Sequence, residues 1–266
     1  VDAADCRIGY RCWGTNTPGI GVCYPNGDGG SGDYRCTPDS CPSGYICASS
    51  GVCVEQAPDL PSGPIPNCGG VAPAWNDCNP MGGSNSCAQL VSFDPRLGPG
   101  YWDYPLNGET EADQYRSYAR RDLMLIIKYA SALTECMSAD WDWGNHEPIG
   151  LGDMSEANGA IPGSREGDPG HPEGTHVDGH DMDIGYFQVG TPDNILRSIC
   201  NHTSGGVDQY HCVDQPDTLD VWRTAMFLGF LHDNPYLRVI GVDGKAGVLV
   251  ENAIQQLCGA GWLTGN

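Results

Sequence analysis

The apolar positions of the second half of the chain fall into helical and alternating patterns. In "ETEADQYRSYARRDLMLIIKYASALTECM" (109–137), Leu123, Ile126, Ile127, Ala130, Leu133 and Met137 recur at helical spacing, the signature of a core-facing helix. Thr110 and Asp113 stand where a capping box would open it. A second stripe of Leu219, Trp222, Met226, Phe227 and Phe230 predicts a helix over 218–232, stopped by Asn234-Pro235. "YLRVIGV" (236–242) alternates like a strand and meets a turn at Asp243-Gly244, and "AGVLVENAIQQLC" (246–258) predicts a third helix. Helices interleaved with short strands give an α+β fold, a small and mainly antiparallel sheet flanked by helices.

The first 54 residues follow a different pattern. "CRIGYRC" (6–12) followed by "GVC" (21–23) returns as "CPSGYIC" (41–47) followed by "GVC" (51–53). Few apolar residues lie between these cysteines, so disulfides rather than a core must hold each copy. The chain therefore divides into a cysteine-rich imperfect tandem repeat (1–54), a Pro-rich linker (55–67) and an α+β domain (68–266). Cys68, Cys78 and Cys87 are the expected staples of the irregular stretch 68–106. Seven cysteines lie in 1–54 and seven beyond, so at least one is free, bridges the two regions or pairs outside the chain.

Fourteen cysteines with no CxxC pair favour disulfides over zinc ribbons, and hence a secreted, periplasmic or cell-surface protein. The start, "VDAADC", lacks the basic and apolar parts of a signal peptide, as expected of a processed chain. No apolar run is long enough for a membrane span. A net charge of -21, from 13 basic against 34 acidic residues, disfavours nucleic acid as a partner, because phosphate binding needs clustered Lys and Arg. The sequence has no Gly-x-Ser-x-Gly elbow and no phosphate-binding glycine loop.

Candidate chemistry concentrates in "HPEGTHVDGHDMDIGY" (171–186). Read as a strand, "HDMDIGYFQ" (180–188) would turn Met182, Ile184 and Tyr186 into the core and leave Asp181 and Asp183 on the open face. Gly179 permits a turn that brings His176 back alongside Asp183. An imidazole and a carboxylate converging in this way suit a catalytic zinc.

The spacing His176-x-x-Gly179-x-Asp181-x-Asp183 resembles the signature of the penicillin-insensitive murein endopeptidases, which belong with the lysostaphin-type and D-Ala-D-Ala carboxypeptidase group of zinc peptidases. "PIGLGDMSEANGAIPG" (148–163) resembles the Gly-Asp segment of that family, and 218–242 its later helix and strand. The resemblance covers roughly 90–262 and leaves the cysteine-rich start aside. It implies Zn2+ bound by His176 and Asp183. The family has a histidine three positions before the first ligand. Here position 173 is Glu and His171 stands five before, so the resemblance gives His171 no role. Asp181 either orients a ligand or accepts backbone hydrogen bonds. The family's later His-x-His pair has no counterpart, and the chain ends at "GAGWLTGN", near where that pair would begin. The expectation is then either a cleaved C-terminal fragment or an incomplete site, unless Asp208-x-x-His211 substitutes from within. That pair lies in a loop that Cys200 and Cys212 can close, and His211 is the candidate third ligand. His146 and His232 read as structural.

The resemblance implies hydrolysis of peptide cross-links by a secreted zinc peptidase, with peptidoglycan peptides or another extracellular polymer as partner. The alternative is a catalytically inactive extracellular binding or assembly protein on the same scaffold. The sequence names no catalytic acid or base.

Overall fold

In the computed structural model, residues 64–167, 171–232, 234–235 and 237–263 are described, together with four short N-terminal strands. Those strands are β1 (Tyr10–Trp13), β2 (Gly21–Pro25), β3 (Tyr45–Cys47) and β4 (Cys53–Glu55). They form two antiparallel hairpins in which Cys12 faces Cys23 and Cys47 faces Cys53. The tandem repeat is therefore a repeat of hairpins. Most of the Pro-rich linker lies outside the described residues, as do the disulfides expected within 1–54.

The chain divides into two compact units. The first comprises Pro66–Ala139 and Gly144–Arg197. It contains β5 (Leu90–Ser92), β6 (Leu97–Gly98), β7 (Tyr101–Asp103), β8 (Tyr118–Arg120), helix α1 (Arg121–Met137) and β9 (Ile149–Leu151). β5 pairs with β8 and β6 with β7, both antiparallel, while β7 pairs with β9 in parallel. The sheets are thus several, small and mixed, rather than one mainly antiparallel sheet. Disulfides Cys68–Cys136 and Cys78–Cys87 staple this unit.

Helix α1 begins eleven residues later than its supposed capping box. Thr110 and Asp113 instead close a local turn, in which the Asp113 amide donates to Thr110 Oγ1 at 3.1 Å. The cause is tertiary. Residues 118–120 pair with β5, and a backbone committed to a ladder cannot also start a helix. The inward face of α1 carries Met124, Ile126, Ile127, Ala130 and Thr134. Phe93, Ala119, Leu151 and Met154 are fully buried in the same unit.

The second unit holds Ser198–Asn266, Asp140–Trp143 and the N-terminal region. A hairpin of β10 (Thr203–Ser204) and β11 (Val207–Asp208) lies within the loop closed by Cys200–Cys212. Then follow α2 (Val221–Leu231), β12 (Val239–Gly241) and α3 (Gly244–Gly259). β12 adds in parallel to β2. Every apolar stripe residue expected on α2 is buried. Asp220 caps this helix: it accepts from the Arg223 amide and from Arg223 Nε at 2.7 Å, and from Trp143 Nε1 at 2.9 Å. Asp243 caps α3 in the same way through the amides of Lys245 and Ala246. Trp141 meets Trp262 edge to face at 5.5 Å. Among the described residues Cys258 has no disulfide partner. No helix there is long and apolar enough to cross a membrane.

Asp103 on β7 is buried, and its Oδ2 has no hydrogen-bond partner. Burial pushes its pKa up to about 7, against the opposing hydrogen bond from Ser117. The native chain then holds a proton that the unfolded chain releases near pH 4, so this group's stabilising contribution is full below about pH 4 and gone above about pH 7. Asp103→Asn should therefore gain stability relative to wild type as the pH rises from 4 to 8, by about 2–4 kcal/mol in all. Denaturant melts of both proteins across that range would check it. Parallel pH profiles would refute the assignment.

Candidate metal centre

The site rests on a backbone strap. Beyond β9 the chain continues extended and pairs antiparallel with 183–185. The Gly152 amide donates to Asp183 O at 2.8 Å, the Asp183 amide to Asp153 O at 2.9 Å, and the Gly185 amide to Gly150 O at 2.8 Å. Gly185 is required where it stands, because a Cβ there would overlap the Asn194 carbonyl. Asp153 and Asp183 thus come from adjoining stretches of backbone, although thirty positions separate them.

The segment 180–188 is extended but is not the alternating strand its sequence suggests. Its one ladder partner at Ile184 is the single bridge to Leu151. Met182, Ile184 and Tyr186 are only partly buried, and Phe187 and Gln188 occupy the core instead. With a strap on one edge and no continuous sheet, the segment has no single wet face for alternation to sort, so the inside-outside rule fails.

The turn does form as expected. A short 3-10 turn spans Val177–Gly179, with His176, Asp178 and Gly179 at φ of 55°, 56° and 67°. A side chain at 179 would meet Leu90 Cδ1 at 2.6 Å and the Arg120 amide nitrogen at 2.7 Å. Only glycine fits both that φ and that space. Asp181 Oδ1 accepts the His176 amide at 2.7 Å, which settles its role as a backbone acceptor that closes the turn. The Asp178 amide donates to Gly159 O at 2.9 Å.

The turn aims His176 Nε2 at Asp183 Oδ1, 3.6 Å away. The ring of His171 stands edge-on to that of His176, with centroids 4.4 Å apart. One ligand atom from each of His171, His176 and Asp183 lies within 4.8 Å of the others, and the three can hold a metal ion. His176 is 4% exposed, whereas the Asp183 side chain is 44% exposed. One edge of the site is therefore open to solvent.

Asp153 supports the cluster from beneath. It is buried; Oδ1 accepts from Arg116 at 3.1 Å, and Oδ2 lies 2.8 Å from His171 Nε2. A carboxylate behind a ligating imidazole fixes the ring and raises its basicity. Asp183 feels the crowding. Burial raises its pKa, His176 and His171 oppose that rise, and Asp153 and Asp181 add to it. A divalent cation is the group that would relieve this strain, since it favours the ionised carboxylate.

The donors fit zinc on chemical grounds. Two imidazoles and one carboxylate are borderline ligands, and three protein donors beside an open edge match the pattern of catalytic zinc sites. The buried Nδ1 of His176 has no hydrogen-bond partner among the described residues, while Nε2 faces the Asp183 carboxylate.

His211 belongs to the second unit and is not one of the three clustered residues. Its supposed companion Asp208 is engaged by His202, Nδ1 to Oδ1 at 2.8 Å. That hydrogen bond, reinforced by the Tyr210 amide, holds Asp208 below the usual carboxylate range. His171 takes the third place. Its spacing from His176 is unlike the family's, but one signal was available. Pro172-Glu-Gly174 between two imidazoles is a turn sequence, and Thr175 Oγ1 donates to Pro172 O at 2.8 Å within it. His146 is exposed, and His232 caps the end of α2, where the sequence placed it.

No family model matches the chain, and comparison with curated proteins and with solved structures likewise finds no match.

Gly179→Ala tests the turn. It should destabilise the protein by about 1–3 kcal/mol and weaken zinc binding by an order of magnitude or more. Denaturant unfolding and competition against a chromogenic chelator measure the two effects. Unchanged zinc affinity would show that the turn does not set the site.

Proposed function

We propose that the protein is a secreted zinc peptidase that cleaves the peptide cross-links of peptidoglycan. The observation that carries this reading is the convergence of His171, His176 and Asp183 on the turn whose sequence resembles the murein endopeptidase signature. Three disulfides among the described residues support an oxidising location.

His171, His176 and Asp183 would hold the ion, and zinc bound there would supply a Lewis acid for a scissile carbonyl and a water of lowered pKa. The protein's contribution is placement. Asp181 and Gly179 fix the backbone turn that carries His176, and Asp153 with Arg116 holds the ring of His171. Asp183 presents its exposed edge to solvent, so a peptide can reach the cluster from that side. Its raised pKa falls once a cation is bound, which couples metal affinity to pH: binding weakens as the carboxylate protonates.

Native protein should contain about one zinc per chain by elemental analysis and should shorten cross-linked muropeptides in a mass-spectrometric assay. His176→Ala should lose both. Zinc retained without cleavage in the wild type would favour the binding or assembly protein on this scaffold. Cleavage unchanged in His176→Ala would remove the proposed centre altogether.

A further inference from the structure

The two imidazoles of the metal cluster stand in different surroundings. His176 presents Nε2 to the Asp183 carboxylate at 3.6 Å, and its buried Nδ1 has no partner among the described residues. The Nε2 side of that ring therefore faces the cluster. In His171 the same nitrogen is occupied. It lies 2.8 Å from Asp153 Oδ2. An ionised carboxylate only accepts, so Nε2 carries the proton of the neutral ring and the lone pair is left on Nδ1.

What stands behind His171 gives this arrangement no second way to pair. Asp153 is 4% exposed, and each of its oxygens has one partner. Oδ1 takes the Arg116 guanidinium at 3.1 Å, and Oδ2 takes the ring. Arg116 is buried too, and a guanidinium only donates. The order of donor, acceptor and donor cannot be reversed. Its outer members stand thirty-seven and eighteen positions from Asp153, so the contact belongs to the tertiary fold and not to a local turn. The Asp153 carbonyl also accepts the Asp183 amide at 2.9 Å, which ties its backbone to the strap.

We infer that Asp153, held by Arg116, is the positioning residue that makes His171 a ligand through Nδ1. The two imidazoles then meet an ion through different nitrogens, Nδ1 of His171 and Nε2 of His176. The inference rests on the metal centre proposed above but not on peptidase activity, and its first half concerns the metal-free protein alone. Replacing Asp153 by its isostere should then be worse than truncating it, which a merely structural role would not produce. In Asp153→Asn the single remaining oxygen goes to Arg116, and the amide nitrogen is turned toward His171. Nε2 must then accept, and the proton moves to Nδ1, where it covers the lone pair. Asp153→Ala frees the ring without imposing that tautomer. Both variants leave Arg116 without its carboxylate, so the charge left behind is the same.

The test uses the full chain with isotope-labelled histidine and long-range proton–nitrogen spectra, the seven histidines being assigned from single His→Gln variants. At about pH 8, where an ordinary imidazole is neutral, metal-free wild type should show His171 with a protonated Nε2 and a bare Nδ1. Loading with spin-active cadmium should split the signals of Nδ1 in His171 and Nε2 in His176. In chelator competition, zinc affinity should fall by about 10–100-fold in Asp153→Ala and by at least about fivefold more in Asp153→Asn. Thermal melts would show whether both variants fold, and the wild-type spectra decide the matter if they do not. A proton on Nδ1 of His171 in the metal-free wild type would overturn the inference, as would cadmium coupling to its Nε2. So would a folded Asp153→Asn that binds zinc as well as Asp153→Ala. A wild type that binds neither metal would overturn it together with the metal centre. Coupling to Nδ1 in a protein that cuts no muropeptide would uphold it and reject only the peptidase reading.

Discussion

Three backbone hydrogen bonds between 150–153 and 183–185 are the constraint from which the site follows. They run through a buried region bounded by Ile149, Leu151 and Met154, where an unpaired amide or carbonyl is expensive. Register is accordingly fixed, and with register comes position. Asp153 and Asp183 must lie close together, one sealed inside and one at the edge. The left-handed turn at 176–179 then has a fixed target. Without the strap, the same turn would point an imidazole at nothing in particular.

That proximity has an electrostatic cost which the surroundings only partly offset. Arg116 neutralises Asp153 but leaves Asp183 to the two imidazoles, and desolvation outweighs their help. A protein selected for stability alone would do better with an apolar pair here. A geometry that gathers acids and imidazoles and then leaves an edge open makes physical sense as a receptor for positive charge.

How much of this was legible in the sequence depended on whether the relevant contact was local. The stripe on α2, the body of α3 and the loop closed by Cys200–Cys212 are short-range features with short-range signals. So is the turn, since glycine at 179 and aspartate at 181 announce it. The start of α1 was not legible, because residues 118–120 read as helix until β5 claims them. The burial of Phe187 and Gln188 in place of Met182, Ile184 and Tyr186 was hidden for the same reason, as alternation assumes a sheet with one wet face. His171 escaped because its partner, Asp153, is eighteen residues away and comes within reach only through the strap. The tandem hairpins at the start were visible as repeated cysteine spacing, which required no long-range knowledge.

One covalent link bears on how the first unit would respond to load. Cys68, at its beginning, is bonded to Cys136, at the end of α1. Tension applied to the chain ahead of Cys68 would pass across the sulfur bridge and bypass everything from 69 to 135. β5 through β8 and nearly all of α1 sit in that slack loop. Arg116 lies inside the bypassed segment, whereas its partner Asp153 and the clustered His171, His176 and Asp183 all follow Cys136 and would carry the load.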